Sequence, residues 1–184
     1  MSRLSKAAKA LLADISTFSN LVLRVPLRKY QVGPLRAILT SIFGRQGLEF
    51  LLIFPRQSGK NEAVAQLLVY LLNIYQRIGG NIIYGASGIG KDLGVDRLEE
   101  RLDNPWNRGA WRSRNRKPQT RSLGKAQIVF LSTYHTALTR GQTAHHLLVI
   151  DEAQDQNSAH IESVFTPMRA AGKSFSRAFD FRRF

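Results

Sequence analysis

Cysteine is absent from the 184 residues. Its absence excludes a disulfide-stapled scaffold, a thiolate zinc site and a cysteine nucleophile, and it fits a reducing compartment. Acidic side chains are scarce: 13 Asp and Glu face 27 Lys and Arg, leaving a net charge of +14. That imbalance points to a polyanionic partner, either nucleic acid or an anionic membrane surface. No apolar run approaches the ~18 residues that a transmembrane helix needs. The basic start, Met1 to Asp14, has a short, interrupted apolar stretch with no small-residue cleavage site after it. It reads as an amphipathic helix rather than a signal peptide.

What is present has the balance of a folded chain, 43% hydrophobic and 22% charged. The length suits one domain with a sizeable core. Apolar residues at helical spacing mark Leu4 to Phe18, and Val25-Pro26 breaks that helix. A second helix is expected over Pro34 to Phe43, with proline in its first turn. Leu48 to Phe54 (LEFLLIF) is short and almost wholly apolar, the pattern of a strand buried in a parallel sheet. Further strands are expected at Asn81 to Ala86, Ala126 to Ser132 and His146 to Asp151, with helices over Glu62 to Gln76 and Lys91 to Leu102. Such alternation predicts an α/β fold with a mainly parallel sheet flanked by helices. Asp103 to Lys125 reads as loop, and Ser174 to Phe184 as a fraying tail without a strand.

The strongest constellation is a strand, a Gly-Lys loop and a helix: LEFLLIF, PRQSGKN, then the helix from Glu62. A bound phosphate needs inward-aimed backbone N–H groups, a helix N-terminus and a mobile cation. Here Gly59 lets the backbone approach, the helix supplies its positive end, and Lys60 reaches the β- and γ-oxygens. The loop departs from the usual phosphate-loop pattern at both ends. Phe54 stands for the first glycine, and Asn61 for the hydroxyl that meets magnesium. An amide oxygen can meet that ion directly or through water. A rival, Gly85 to Asp92 (GASGIGKD), keeps both glycines and the lysine at Lys91 but ends in a carboxylate that would face the phosphates. Its other reading is a plain strand-to-helix turn. Downstream, the apolar strand from His146 ends in Asp151-Glu152-Ala153-Gln154, a Walker B pattern. Asp151 would hold magnesium and Glu152 would orient and deprotonate water, at the strand end where open α/β sheets bind ligands.

Arg56-Gln57-Ser58-Gly59-Lys60-Asn61-Glu62 resembles the variant Walker A loop of the terminase large subunit, the DNA-packaging ATPase of tailed bacteriophages. Leu27-Arg28-Lys29-Tyr30-Gln31 resembles that family's adenine-recognition motif. The stretch from Gly124 through Arg140-Gly141-Gln142 to Gln154 resembles its run into Walker B, so the similarity covers Leu27 to Met168. The resemblance implies a RecA-like P-loop NTPase fold that binds ATP and Mg2+. It implies that Gln31 contacts adenine, that Gln57, Ser58, Gly59, Lys60 and Asn61 hold the phosphates, that Asn61 and Asp151 hold the metal, and that Glu152 acts on water. Arg56 either stabilises the γ-phosphate or pairs with a carboxylate. For the intact relative it implies double-stranded DNA, a portal protein, a small terminase subunit and further copies of the same chain as partners. The setting it implies is the cytoplasm of a bacterial host, with no membrane.

Such relatives continue into a coupling strand and a nuclease domain, and Ser174 to Phe184 does not resemble that strand. The expected organisation is therefore a helical segment over 1–26, a P-loop ATPase domain over 27–172 and an irregular basic tail over 173–184. On this expectation the ATPase portion is cut short, its sheet incomplete at the C-terminus, and no DNA cutting follows. Two other readings stay open: an ATPase lobe of a superfamily-two helicase, which shares the fold and the Asp-Glu-Ala box, and a non-catalytic basic DNA-binding remnant. Between Arg108 and Lys125 lie Arg108, Arg112, Arg114, Arg116, Lys117, Arg121 and Lys125 without one acidic residue, and Trp106 and Trp111 stand close by. The segment reads as a tracker of phosphate backbone with indoles that stack, or as a solvated loop whose tryptophans cover a core edge. His135, His145, His146 and His160 show no metal-ligand spacing and read as packing or surface residues.

Overall fold

The four apolar strands form, and three more join them. In the computed structural model, residues 8–134, 141–169 and 176–180 are described, the last group as backbone only. The strands are β1 (Glu49–Leu52), β2 (Gly80–Ala86), β3 (Trp111–Arg114), β4 (Gln119–Leu123), β5 (Ala126–Ser132), β6 (Leu147–Ile150) and β7 (Ser176–Asp180). The main helices are α1 (Ile15–Leu21), α2 (Lys29–Phe43), α3 (Lys60–Tyr75) and α4 (Gly88–Leu102). The sheet order is β1-β7-β6-β2-β5-β4-β3. The first five strands run parallel, and β4 and β3 extend the sheet as an antiparallel hairpin.

Alternation along the strands divides the core in two. Ile82 and Tyr84 of β2, Ile128 and Phe130 of β5, and Leu147 and Val149 of β6 face one side. There they meet α1 to α4 through Phe18, Ile38, Leu67, Leu71 and Leu98. The intervening residues Ile83, Val129, Leu131, Leu148 and Ile150 face the other side, under Ile161, Phe165 and Met168 of the helical turns after β6. Helix α3 is apolar nearly all round and buried along most of its length, so tertiary packing rather than an amphipathic stripe fixes it.

Four sequence expectations are corrected. The helix expected over Leu4 to Phe18 breaks at Asp14, whose carboxylate accepts the N–H groups of Ser16 (3.0 Å) and Thr17 (3.3 Å) and so starts α1 afresh. Ile15, Phe18, Val22 and Leu23 belong to the main core. Helix α2 begins at Lys29 and holds Pro34 in its interior; the tertiary bonds of Tyr30 and Gln31 described below hold the extra turn. The loop expected over Asp103 to Lys125 contains the β3–β4 hairpin, masked in the sequence because its outer side chains are almost all polar. The tail expected to be irregular contains β7, which lies between β1 and β6 and pairs with both. A polar segment gains there two full ladders for its backbone groups, which outweighs its weak apolar pattern.

Candidate functional site

The Gly-Lys loop occupies residues 53–59, between β1 and α3. Gln57 and Gly59 both take left-handed backbone, with φ of 59° and 76°, and so turn the chain into the helix. Glycine is favoured at 59 for a second reason: a Cβ there would crowd Gln31 Nε2 at 3.1 Å. Phe54 to Asn61, with Glu62 and Arg97, line an open cavity of about 480 Å³. The α3 N-terminus opens into it, so the cavity combines the positive end of that helix with the Lys60 side chain. Arg56 stands exposed in its lining.

The loop is held from behind. Gln31 Nε2 donates to the carbonyls of Ser58 and Gly59, both at 3.1 Å, and Gln31 Oε1 accepts the Arg28 N–H at 2.9 Å. Tyr30 OH donates to the Ser58 carbonyl at 2.5 Å. Gln31 is 3% exposed and does not line the cavity, so its amide braces the loop.

Lys60 Nζ lies 2.9 Å from Asp151 Oδ1, and both side chains are largely buried. The other carboxylate oxygen accepts a hydrogen bond from Tyr84 OH at 2.7 Å. Asp151 follows β6 directly, and its N–H donates to the Gly85 carbonyl at 2.8 Å, which fixes the end of that strand to β2. Glu152 comes next in left-handed backbone, φ 51°, and neither it nor Asp151 lines the cavity. The donor set suits magnesium: Asp151 is a buried carboxylate already facing a cation, and Asn61, in the first turn of α3, offers an amide oxygen. Glu62, also in that first turn, is neutralised by Arg101 (2.7 Å) and Arg97 (3.7 Å) from α4. Without those partners its charge would oppose a bound phosphate.

The rival Gly85 to Asp92 is built differently. Ser87 alone separates β2 from α4; Gly88, Gly90 and Lys91 are already helical, and none of these glycines has positive φ. There is no loop to wrap a phosphate, and Lys91 lies beside Asp92 at 3.9 Å.

The basic segment is also sorted. Arg121 is buried and paired with Glu99 of α4. Trp111 packs against the main core and donates Nε1–H to Asp103 at 3.1 Å; Trp106 packs on Phe18, with ring centres 6.2 Å apart. Arg108, Arg112, Arg114, Arg116, Lys117 and Lys125 remain exposed. His146 stacks on Tyr75, with ring centres 3.6 Å apart, and bonds to the Gly79 carbonyl at 2.9 Å. Burial holds its pKa below the usual imidazole value. His145 Nδ1 accepts the Asn81 N–H at 3.0 Å, and His135 lies outside the described residues.

Sequence reasoning missed Tyr84, Tyr30, Glu62 and Arg97. The signal for Tyr84 was available: a tyrosine inside an apolar strand needs a partner for its hydroxyl, and Asp151 ends another apolar strand expected in the same sheet.

No protein-family model matches the sequence, and no curated protein does. Solved structures do match by fold. The large terminase of bacteriophage HK97 superposes with a TM-score of 0.69 at 16% identity, over 98% of this chain and 38% of that one. The large terminase ATPase domain of a Thermus phage gives 0.65 at 16%, over 88% and 67%. The large terminase of a thermophilic bacteriophage in complex with ADP gives 0.57 at 15%, over 85% and 39%. The fold is thus that of phage terminase ATPase domains, and the chain spans 38% of the length of the HK97 protein.

Proposed function

We propose that this chain is the ATPase portion of a phage terminase large subunit, binding ATP at the 53–61 loop and, within the intact protein, using its hydrolysis to package duplex DNA. One observation carries the reading: Lys60 and Asp151, far apart in sequence, meet at 2.9 Å beside the cavity. A Gly-Lys loop and a strand-terminal carboxylate converge in this way around a triphosphate. The fold of proteins whose titles name terminase ATPase domains and an ADP complex supports it.

The chemistry asked of the protein is positioning and charge neutralisation. Loop N–H groups and the α3 N-terminus hold the phosphate oxygens, and Lys60 exchanges Asp151 for the β- and γ-oxygens. Arg56, exposed in the cavity lining, approaches the terminal phosphate. Asn61 and Asp151 would hold Mg2+, which when bound offsets phosphate charge. Glu152 orients the attacking water and takes its proton. Gln31 and Tyr30 keep the loop in its cradle shape.

The test is nucleotide binding and turnover. Lys60→Ala abolishes the thermal shift given by Mg-ATP, and Lys91→Ala leaves it intact. Glu152→Gln keeps binding and lowers turnover by about 10²-fold or more. A shift retained in Lys60→Ala and lost in Lys91→Ala overturns the assignment.

A further inference from the structure

We infer that the outer face of the β3–β4 hairpin is a contact surface for the phosphate backbone of duplex DNA. The inference rests on the packaging reading for the choice of duplex, and its test follows ATP binding separately.

The register divides the hairpin into two faces. Trp111 pairs with Leu123 and Ser113 with Arg121: Trp111 packs against the core, Leu123 and Arg121 are buried, Glu99 pairs with Arg121, and of the four only Ser113 is exposed. Arg112 pairs with Ser122 and Arg114 with Thr120 on the opposite face. The same face continues onto β5 at Gln127, opposite Ser122. Two exposed arginines, two residues and about 6.6–6.8 Å of backbone rise apart on one strand, therefore stand among hydroxyl and amide groups. Arg116 and Lys117 of the turn, exposed as well, add charge at the tip. Among the described residues none of these four cations has a carboxylate partner: Arg112 donates only to the Gly109 and Trp111 carbonyls.

The chemistry selects the occupant. Guanidiniums flanked by hydroxyls match phosphate oxygens, and a net charge of +14 draws a polyanion to the whole molecule. A membrane surface is the poorer match, because none of the large apolar side chains left exposed lies within the hairpin. A single strand is the poorer match too. Stacking on bases needs aromatic platforms, and the hairpin presents none: Trp111 packs against the core, and Trp106, 38% exposed beside Phe18, lies outside the hairpin. What remains is contact with backbone phosphates, insensitive to sequence and steep in salt.

The test is fluorescence anisotropy of the full chain with a random-sequence duplex across a salt series. A variant carrying Arg112→Ala and Arg114→Ala is compared with one carrying Lys9→Ala and Arg77→Ala, two exposed cations elsewhere. The hairpin variant binds about tenfold more weakly at moderate salt, and its log–log salt slope is shallower by about 1.8, at ~0.9 per lost phosphate contact. The control variant keeps the wild-type slope, and both keep the Mg-ATP thermal shift. The proposal is overturned by failure of the wild type to bind duplex, by equal losses in the two variants, by tighter binding of a single strand of the same length, or by a loss seen only on anionic vesicles. Self-association of the hairpin variant with unchanged DNA affinity also overturns it, since the arginines would then serve only to keep the β3 edge from pairing with another chain.

Discussion

Tyr84 shows how much of the site depends on one side chain outside the motifs. Its hydroxyl bonds to Asp151 while its ring packs near Phe130 and against Gly94, where an added Cβ would lie 2.9 Å from three of its atoms. Gly94 is therefore the seat of the ring. Tyr84→Phe should lower stability by about 1.5–3 kcal/mol, the range for a hydrogen bond to a charged group. It should also reduce the gain in ATP affinity on adding magnesium, because Asp151 loses one of its two anchors. Titrating ATP with and without magnesium separates that effect from general destabilisation. Gly94→Ala should displace the ring at a cost of about 1–3 kcal/mol in chemical denaturation. The meeting of Lys60 and Asp151 was legible in the sequence because a Gly-Lys loop after one apolar strand and an acidic pair ending another fall at the same end of a parallel sheet. The bracing role of Gln31 was not, because whether an amide faces a cavity or a loop carbonyl is decided by tertiary placement.

Among elements, β2, β5 and β6 were legible because strands buried on both faces must be apolar throughout; β1 is nearly as apolar but lies at the sheet edge, with Leu51 53% exposed. The hairpin and β7 were not: β3 and β4 bury one face only, and the pairing of β7 is decided by neighbours distant in sequence. The joint between α3, β2 and β6 makes a prediction of its own. His146 fills it, stacked on Tyr75, and a side chain at Gly80 would collide with its ring. Burial lowers the His146 pKa below 6.5, so the folded state favours the neutral ring. Stability is then full above pH 6.5 and declines as pH falls through the lower folded-state value, because the unfolded chain takes up the proton first. Melting temperatures from pH 7.5 to 5 should fall along this limb, and His146→Gln should flatten it.

For the molecule as a whole, the excess of cations sets two salt responses of opposite sign. Self-repulsion at a net charge of +14 is screened as salt rises, so thermal stability should increase between ~50 and ~500 mM salt. DNA affinity should fall over the same range. A protein whose melting temperature dropped with salt would owe more to its surface ion pairs than to relief of repulsion. The sheet order carries a further consequence, for biosynthesis. The last described strand to leave the ribosome, β7, lies between the two strands that deliver Lys60 and Asp151. Until it is made, β1 has no partner in the sheet, and its parallel pairing joins Glu49 to Arg177 across most of the chain. The 53–59 loop is therefore anchored in the sheet only once β7 has been made, and a nascent chain stalled earlier leaves β1 with both backbone edges open to pairing with other chains.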